Sequence, residues 1–197
     1  MPDPETIRVY DQRAEEYAAL NIKDGSAEAK LREFIAACPQ GGRALDLGCG
    51  PGLSAAEMAR AGLQVDASDA SAEMVALAAR HEGVNAFQAL FSDITGENIY
   101  HGIWASFCLL HAPRAEFAGH LAALHKALKP GGIFYIGMKL GQGEARDALG
   151  RLYTYYTTEE LDTCLTRAGF RDFHHIFGTS RGLDGELADY VAIRAHG

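Results

Sequence analysis

Three carboxylates at the ends of successive apolar segments are the residues best placed to do chemistry. Asp46 stands just before a loop, Gly48-Cys49-Gly50-Pro51-Gly52, whose glycines follow GxGxG. A dinucleotide fingerprint would carry its third glycine one place later, where this chain has Leu53. That fingerprint seats pyrophosphate on a helix N-terminus, and a carboxylate at Asp46 would repel it. The pairing suits a ligand with a cationic end, which backbone without Cβ atoms lets come close. Asp69, at the end of the next apolar segment, is where an α/β nucleoside site needs an acceptor for two ribose hydroxyls. Asp66 lies inside that segment and would face away from the loop end. Asp93 ends the third segment and offers a carboxylate to an adenine amino group, with Ile94 as an apolar neighbour for the ring. Each alone is also what a turn glycine or a solvated loop carboxylate looks like. Together they describe one ligand: a cationic group, a ribose and an adenine.

The elements that must position these groups alternate. Arg43–Leu47 is a short buried-strand candidate, followed by the glycine loop and a helix through Arg60. Gln64–Ser68 is a second strand, and Ser71 caps a helix presenting Met74, Val75 and Ala78. Ala86–Leu90 is a third strand, and Ile103–Leu110 is apolar throughout, as a central strand covered on both faces should be. A helix over 114–128 ends at Pro130-Gly131-Gly132, and Ile133–Met138 is a fifth strand. After a helix near 158–168, Phe170–Phe177 and Leu187–Arg194 have no helix between them, so they join as an antiparallel hairpin at one edge. The first forty residues are helical: Val9, Tyr10, Arg13, Tyr17 and Leu20 share a spacing, and Ser26, after Asp24-Gly25, caps a second helix carrying Leu31, Phe34 and Ile35. The expected architecture is α/β: a doubly wound, seven-stranded, mostly parallel sheet with a C-terminal antiparallel hairpin and helices on both faces.

Composition narrows the class. The 197 residues suit one domain with a substantial core; 48% are apolar and 22% charged, a globular balance. Eighteen Lys and Arg against 26 Asp and Glu leave a net charge of −8, which disfavours an electrostatically held polyanion. The acidic start, Met-Pro-Asp-Pro-Glu, has no apolar signal region, and no apolar run approaches the ~20 residues that span a bilayer. Cys38, Cys49, Cys108 and Cys164 lack CxxC spacing, so free thiols in a reducing cytoplasm are expected. No HExxH or GxSxG occurs, and His174-His175, adjacent in a strand, face opposite sides; no metal is expected.

With these residues in place, the sequence resembles a class I S-adenosylmethionine-dependent methyltransferase of the small single-domain branch, over nearly its whole length. Leu45-Asp46-Leu47-Gly48-Cys49-Gly50-Pro51-Gly52 looks like that family's first motif, and Asp69-Ala70-Ser71-Ala72-Glu73-Met74 like its ribose motif. Leu128-Lys129-Pro130-Gly131-Gly132 looks like its turn before the fifth strand. Tyr10-Asp11-Gln12-Arg13-Ala14-Glu15-Glu16-Tyr17 is similar to the YDxxAxxY segment that covers the cofactor. One departure is Tyr100-His101-Gly102, where the family often has Asp; it lies at the strand's beginning, away from the ligand. The resemblance implies S-adenosyl-L-methionine as cofactor and S-adenosyl-L-homocysteine as product. It implies that Asp46 with Gly48, Cys49, Gly50, Gly52 and Leu53 holds the methionyl end. Asp69, Ala70 and Met74 then serve the ribose, Asp93 and Ile94 the adenine, and Ser106 and Phe107 line the opposite side. Tyr10 would reach the methionyl carboxylate and Tyr17 the transferred methyl.

A sulfonium methyl is already activated, so such a protein mainly aligns an acceptor and excludes water. An acceptor of high pKa also needs a base, and His111, just past the fourth strand, is the candidate, with Tyr17 as a second group near the methyl. Beyond the fifth strand, Lys139, Arg146 and Arg151 could receive an anionic substrate, and Tyr153, Tyr155 and Tyr156 could wall an aromatic pocket. The expected whole is a single domain over 1–197, with 1–40 a helical lid and 41–197 a Rossmann-like core. It would act in the cytoplasm, as monomer or homodimer, transferring methyl in line to a small molecule, with no nucleic-acid or membrane partner. The alternatives are a catalytically silent S-adenosylmethionine-binding regulatory module and a nicotinamide oxidoreductase.

Overall fold

The computed structural model describes residues 3–20 and 25–197; Met1, Pro2 and Asp24, which entered the reading of the N-terminus and of the turn before Ser26, lie outside them. The apolar segments form strands β1 (Arg43–Leu47), β2 (Gln64–Asp69), β3 (Val84–Gln88), β4 (Tyr100–Ser106) and β5 (Leu128–Lys139). Helices α4 (Leu53–Arg60), α5 (Ala72–Ala78) and α6 (Arg114–Ala127) connect them, and only a short 3-10 turn, Phe91–Asp93, lies between β3 and β4. After α7 (Thr158–Ala168), β8 (Arg171–Arg181) and β9 (Leu187–His196) close the chain as a hairpin. The seven strands lie in the order β3-β2-β1-β4-β5-β9-β8. β1 through β5 pair in parallel, and β9 inserts antiparallel against both β5 and β8.

Period-two alternation divides the core between the faces of this sheet. Leu45, Leu47, Ile103, Phe134 and Ile136 point to one face, where Phe117 and Leu121 of α6 and Leu161 of α7 cover them. Ala44, Val65, Trp104 and Tyr135 point to the other, under Met58 of α4 and Leu31 and Phe34 of α3 (Gly25–Ala37). Phe34, Phe117 and Phe134 are completely buried, each contributing about 1.5–3 kcal/mol of transfer free energy. The chain begins with α1 (Pro4–Gln12) and α2 (Ala14–Leu20), which pack through Ala14, Tyr10 and Tyr17 on Met74 and Leu77 of α5. Because α5 follows the C-terminal end of β2, α1 and α2 lie over the edge where β1 and β2 end.

Several boundaries differ from the sequence expectation, for local reasons. β3 starts two residues early, in register with Val65 to Asp69 of β2. β4 ends at Ser106 rather than Leu110, because Phe107 adopts φ 55°, bonds its N–H to the Gly137 carbonyl, and leads into a 3-10 turn over Leu109–His111. Pro130-Gly131-Gly132 does not precede β5 but sits inside it, where the register against β4 shifts between Tyr100 and Gly102. α3 begins at Gly25, ahead of its expected cap Ser26. The segment after β5, expected as a loop, holds a small antiparallel sheet of β6 (Glu144–Arg146) and β7 (Leu152–Thr154). Among the described residues, no helix is long and apolar enough to cross a membrane.

Candidate functional site

The glycine loop leaves β1 at the edge where parallel strands place ligand sites. Gly48 has φ 60°, and a Cβ there would stand 2.2 Å from Cβ of Cys108, so the turn after β4 packs directly on its backbone. Gly50, at φ 52°, looks out toward the Tyr17 ring. Asp69 organises this loop from β2: Oδ2 accepts from Gly50 N–H and Oδ1 from Ser71 N–H, both at 2.9 Å. Burial raises its pKa while those backbone donors lower it. A carboxylate has about four acceptor sites, so acceptor capacity remains for a ligand beyond these backbone donors and the Ala70 N–H.

A cavity of about 840 Å³ opens from this loop. One wing is walled by Gly48, Gly50, Ser68, Asp69, Ala70 and Met74, with Ala89 to Phe91 on one side and Ser106 to Cys108 on the other. The second wing runs between α1, through Asp3, Thr6, Ile7 and Tyr10, and the start of α6, through Pro113, Ala115, Glu116 and His120. Tyr10, Tyr17 and His111 line the same cavity.

The expected residues divide accordingly. Asp69, Gly48, Gly50, Ala70, Met74, Ser106, Phe107, Tyr10, Tyr17 and His111 line the cavity. Asp46 does not: it is buried beneath the loop, its Oδ2 lacks any partner, and desolvation pushes its pKa to about 8. It therefore carries less than a full charge at neutral pH. Cys49 is buried with its thiol turned to the Gly50 carbonyl, and Gly52 and Leu53 start α4 behind the wall. Asp93 is exposed and accepts from Leu90 N–H within its own turn, and Ile94 is in the core. Ala89, Leu90 and Phe91, which sequence reasoning missed, line the cavity near the end of β3.

The cations and tyrosines assigned to an acceptor pocket are corrected most clearly. Arg146 is a half-exposed clasp, forking onto both carboxylate oxygens of Asp3 at 2.7 and 2.9 Å and reaching Glu5 at 3.3 Å. Its hydrogen bonds hold Asp3 well below the usual carboxylate range. Arg151 is 1% exposed and bound bidentately to Asp147, and Lys139 lies 4.2 Å over the Tyr153 ring. Tyr153 and Tyr156 are core residues, Tyr156 packed on Phe117 and Arg114. None of the three expected substrate residues, Arg146, Tyr153 and Tyr156, is on the cavity wall. The faces that do form the second wing were legible as helical spacing: Asp3, Thr6, Ile7 and Tyr10, and Glu116, Gly119 and His120.

Around His111 the geometry is tight. Its Nδ1 lies 2.6 Å from the Leu152 carbonyl and its Nε2 2.8 Å from the Tyr10 hydroxyl. The carbonyl requires Nδ1 to carry the proton, so Nε2 is the acceptor and Tyr10 the donor. Burial lowers the His111 pKa to about 4, and the ring is neutral at neutral pH. Tyr10 meets Tyr17 edge-on at 5.5 Å. Further contacts seat α1 at both ends: Thr6 accepts from Leu152 N–H, and Asp11 accepts from the Ser71 hydroxyl. Among the described residues no group of three or more His, Cys, Asp and Glu side chains is arranged to hold a metal ion.

A family model described as a methyltransferase domain matches residues 44–132. A ubiquinone biosynthesis O-methyltransferase of Xanthomonas axonopodis pv. citri is 32% identical over 105 residues, 50% of this chain and 43% of that protein. The chain thus matches less than half the length of that relative. Among solved structures, the 1,6-didemethyltoxoflavin-N1-methyltransferase of Burkholderia thailandensis, with bound 1,6-didemethyltoxoflavin and S-adenosylhomocysteine, superposes with TM-score 0.78 at 24% identity. It covers 98% of this chain and 87% of that one. The [4+2]-cyclase SpnF does so with TM-score 0.77 at 20% identity, covering 99% and 96%. These structural likenesses establish the fold; a cyclase among them means that the fold alone does not name the reaction.

Proposed function

For a chain that carries the class I S-adenosylmethionine-dependent methyltransferase domain, we propose in-line methyl transfer to a small molecule bound in the second wing of the cavity. The observation that carries this reading is continuity: one cavity runs from Asp69 and the glycine loop to Tyr10 and His111 beneath α1. The residues fit the cofactor. Asp69 keeps acceptor capacity for a ribose hydroxyl, Gly48 and Gly50 present backbone without Cβ, and Ser68 Oγ on the cavity wall is buried without a partner. Ala89 to Phe91 with Met74 offer an apolar slot for a flat base. S-adenosylmethionine supplies a methyl on a sulfonium whose departure leaves a neutral thioether.

The protein's own part is to orient the acceptor and keep water out. Tyr10 and Tyr17 close the methyl end, and α1 and α2 form a lid over both wings, clasped by Asp3 and Arg146. The cavity, at about 840 Å³, has room for a small acceptor, and among the described residues its wall carries no Lys or Arg. The four free cysteines belong in a reducing cytoplasm, and a net charge of −8 argues against a nucleic-acid acceptor.

A second reading, a silent S-adenosylmethionine-binding module, is favoured by one observation: His111 Nε2 is already engaged by Tyr10. Two measurements decide. S-adenosylhomocysteine should raise the melting temperature of the wild type and not of Asp69→Ala, while NAD(H) should do neither. Phenols, thiols, amines and acids then serve as acceptors, with S-adenosylhomocysteine release as the readout. Stabilisation by NAD(H) alone would sink the proposal, and tight binding without release from any acceptor would favour the module.

A further inference from the structure

A chain of hydrogen bonds beneath the lid is fixed in direction at both ends. At one end the Arg151 guanidinium is held by Asp147, whose Oδ2 accepts from Nε at 2.8 Å and Nη2 at 2.6 Å. Asp147 Oδ1 accepts from the Arg151 and Leu149 backbones, so this carboxylate is saturated. The remaining Arg151 nitrogen, Nη1, donates to the Tyr10 oxygen at 2.9 Å. At the other end the Leu152 carbonyl takes the Nδ1 proton of His111. A guanidinium only donates and a carbonyl only accepts. Between them the Tyr10 proton has one place to go, Nε2 of His111, and Tyr10 keeps one oxygen lone pair on the cavity wall.

We propose that Arg151 is a positioning residue that turns Tyr10 and His111 into a one-proton sink for an acceptor bearing a hydroxyl or a weakly basic N–H. The proposal rests on the methyl-transfer reading. Without Arg151 the Tyr10 hydroxyl could donate into the cavity and occupy the acceptor lone pair that must attack. With it, that hydroxyl points away and its oxygen can only accept. As the acceptor lone pair forms its bond to the methyl, the electron pair of the broken C–S bond stays on sulfur. The acceptor's proton passes to the Tyr10 oxygen while Tyr10's own proton passes to Nε2. The positive charge ends on the His111 imidazolium, which later releases its proton to solvent.

Burial that lowers His111 keeps the sink empty at neutral pH. Such a weak base suffices for an oxygen or weakly basic nitrogen, whose proton becomes strongly acidic once methylated; an ordinary amine has no use for it. The charged and titratable groups facing His111 are Tyr10 from α1, Tyr153 from β7 with ring centroids 4.6 Å apart, Lys139 at the end of β5, and Asp147 and Arg151 between β6 and β7.

The test uses two variants, since removing Arg151 alone would strand a buried carboxylate. Arg151→Lys keeps the charge and loses the fork; Arg151→Met with Asp147→Asn removes both charges. Nitrogen-15 NMR of His111, in the free protein and with S-adenosylhomocysteine, reads the hydrogen-bond chain apart from turnover. The wild type should show a single Nδ1–H tautomer that does not titrate above about pH 5.5. Both variants should shift the Nε2 resonance toward that of Tyr10→Phe. Their kcat on hydroxyl acceptors should fall about 10–100-fold, with S-adenosylhomocysteine affinity within about twofold of wild type. An unmoved His111 resonance in both variants, or an unchanged kcat, overturns the proposal. A wild type inactive on every acceptor, with the resonance shifting as expected, would overturn the catalytic role and the methyl-transfer reading while upholding the chain of bonds.

Discussion

Substituting Gly48 by Ala tests the close contact on which the cofactor end of the cavity is built. The added Cβ meets two costs. Ala in the left-handed region at φ 60° loses about 1–2 kcal/mol relative to glycine. Its Cβ would also sit 2.2 Å from Cβ and 3.1 Å from Sγ of Cys108, an overlap that must be relieved by moving the 107–108 turn, at about 1–3 kcal/mol. The sum, about 2–5 kcal/mol, corresponds to a fall in melting temperature of roughly 4–20 °C for a chain of this size. Cys108→Gly separates the two parts, because it removes the clashing atoms and leaves the backbone strain. In that background Gly48→Ala should cost only about 1–2 kcal/mol, so a double-mutant cycle should show a coupling of about 1–3 kcal/mol. Urea unfolding of the four proteins measures it. Equal losses in both backgrounds would refute the contact, and with it the argument that this turn seats the cofactor loop.

Asp46, whose pKa burial raises to about 8, is stabilising to the fold only when protonated. The wild type should therefore lose stability as pH climbs from the ordinary carboxylate range through about 8. Asp46→Asn should gain in melting temperature relative to wild type between about pH 5 and pH 9, and a pH-independent difference would contradict the unpaired burial. Asp3, depressed by Arg146, has the opposite sign: its contribution is present above the usual carboxylate value and fades as pH falls below it. Asp3→Asn should speed amide exchange across α1 at neutral pH while leaving the global melting temperature almost unchanged; protection equal to wild type would mean the clasp does not hold the lid. Tyr156→Phe removes a buried hydroxyl that has no partner, so stability should be equal or higher and KM unchanged. A raised KM would return Tyr156 to the acceptor site.

What the sequence revealed and what it concealed follow from the range of the interactions. The β1–glycine loop–α4 unit was readable because its signal is local: a short apolar run, glycines at fixed offsets, then helical spacing. Asp69 was readable for the same reason, its partners being Gly50 and Ser71. Arg146 was misread as a substrate cation because Asp3, which neutralises it, is 143 residues away; Arg151 is paired with nearby Asp147, but its burial and its bond to Tyr10, 141 residues away, are not visible in the sequence. Tyr153 and Tyr156 look alike in an aromatic run whether they wall a pocket or fill a core, and β6 and β7 are too short, at three residues each, to show a period. Asp46 and Asp93 had the right residue type at the right strand ends. Only side-chain direction separates them from Asp69.

The clasp that joins Asp3, Thr6 and Tyr10 to Arg146, Leu152 and Arg151 also orders events in time. Helix α1 is synthesised well before the residues that clasp it, which follow 141–146 residues later. While the chain is emerging, α1 can pack on α5 but has no clasp, and the cavity is completed only after β7 has joined the fold. Closing so long a loop costs little more than closing a short one, about 0.6 kcal/mol for each doubling of length. The seat is thus inexpensive to form late. A ligand already lying on Asp69 and the glycine loop would meet the lid as it docks, and would help the protein finish folding around it.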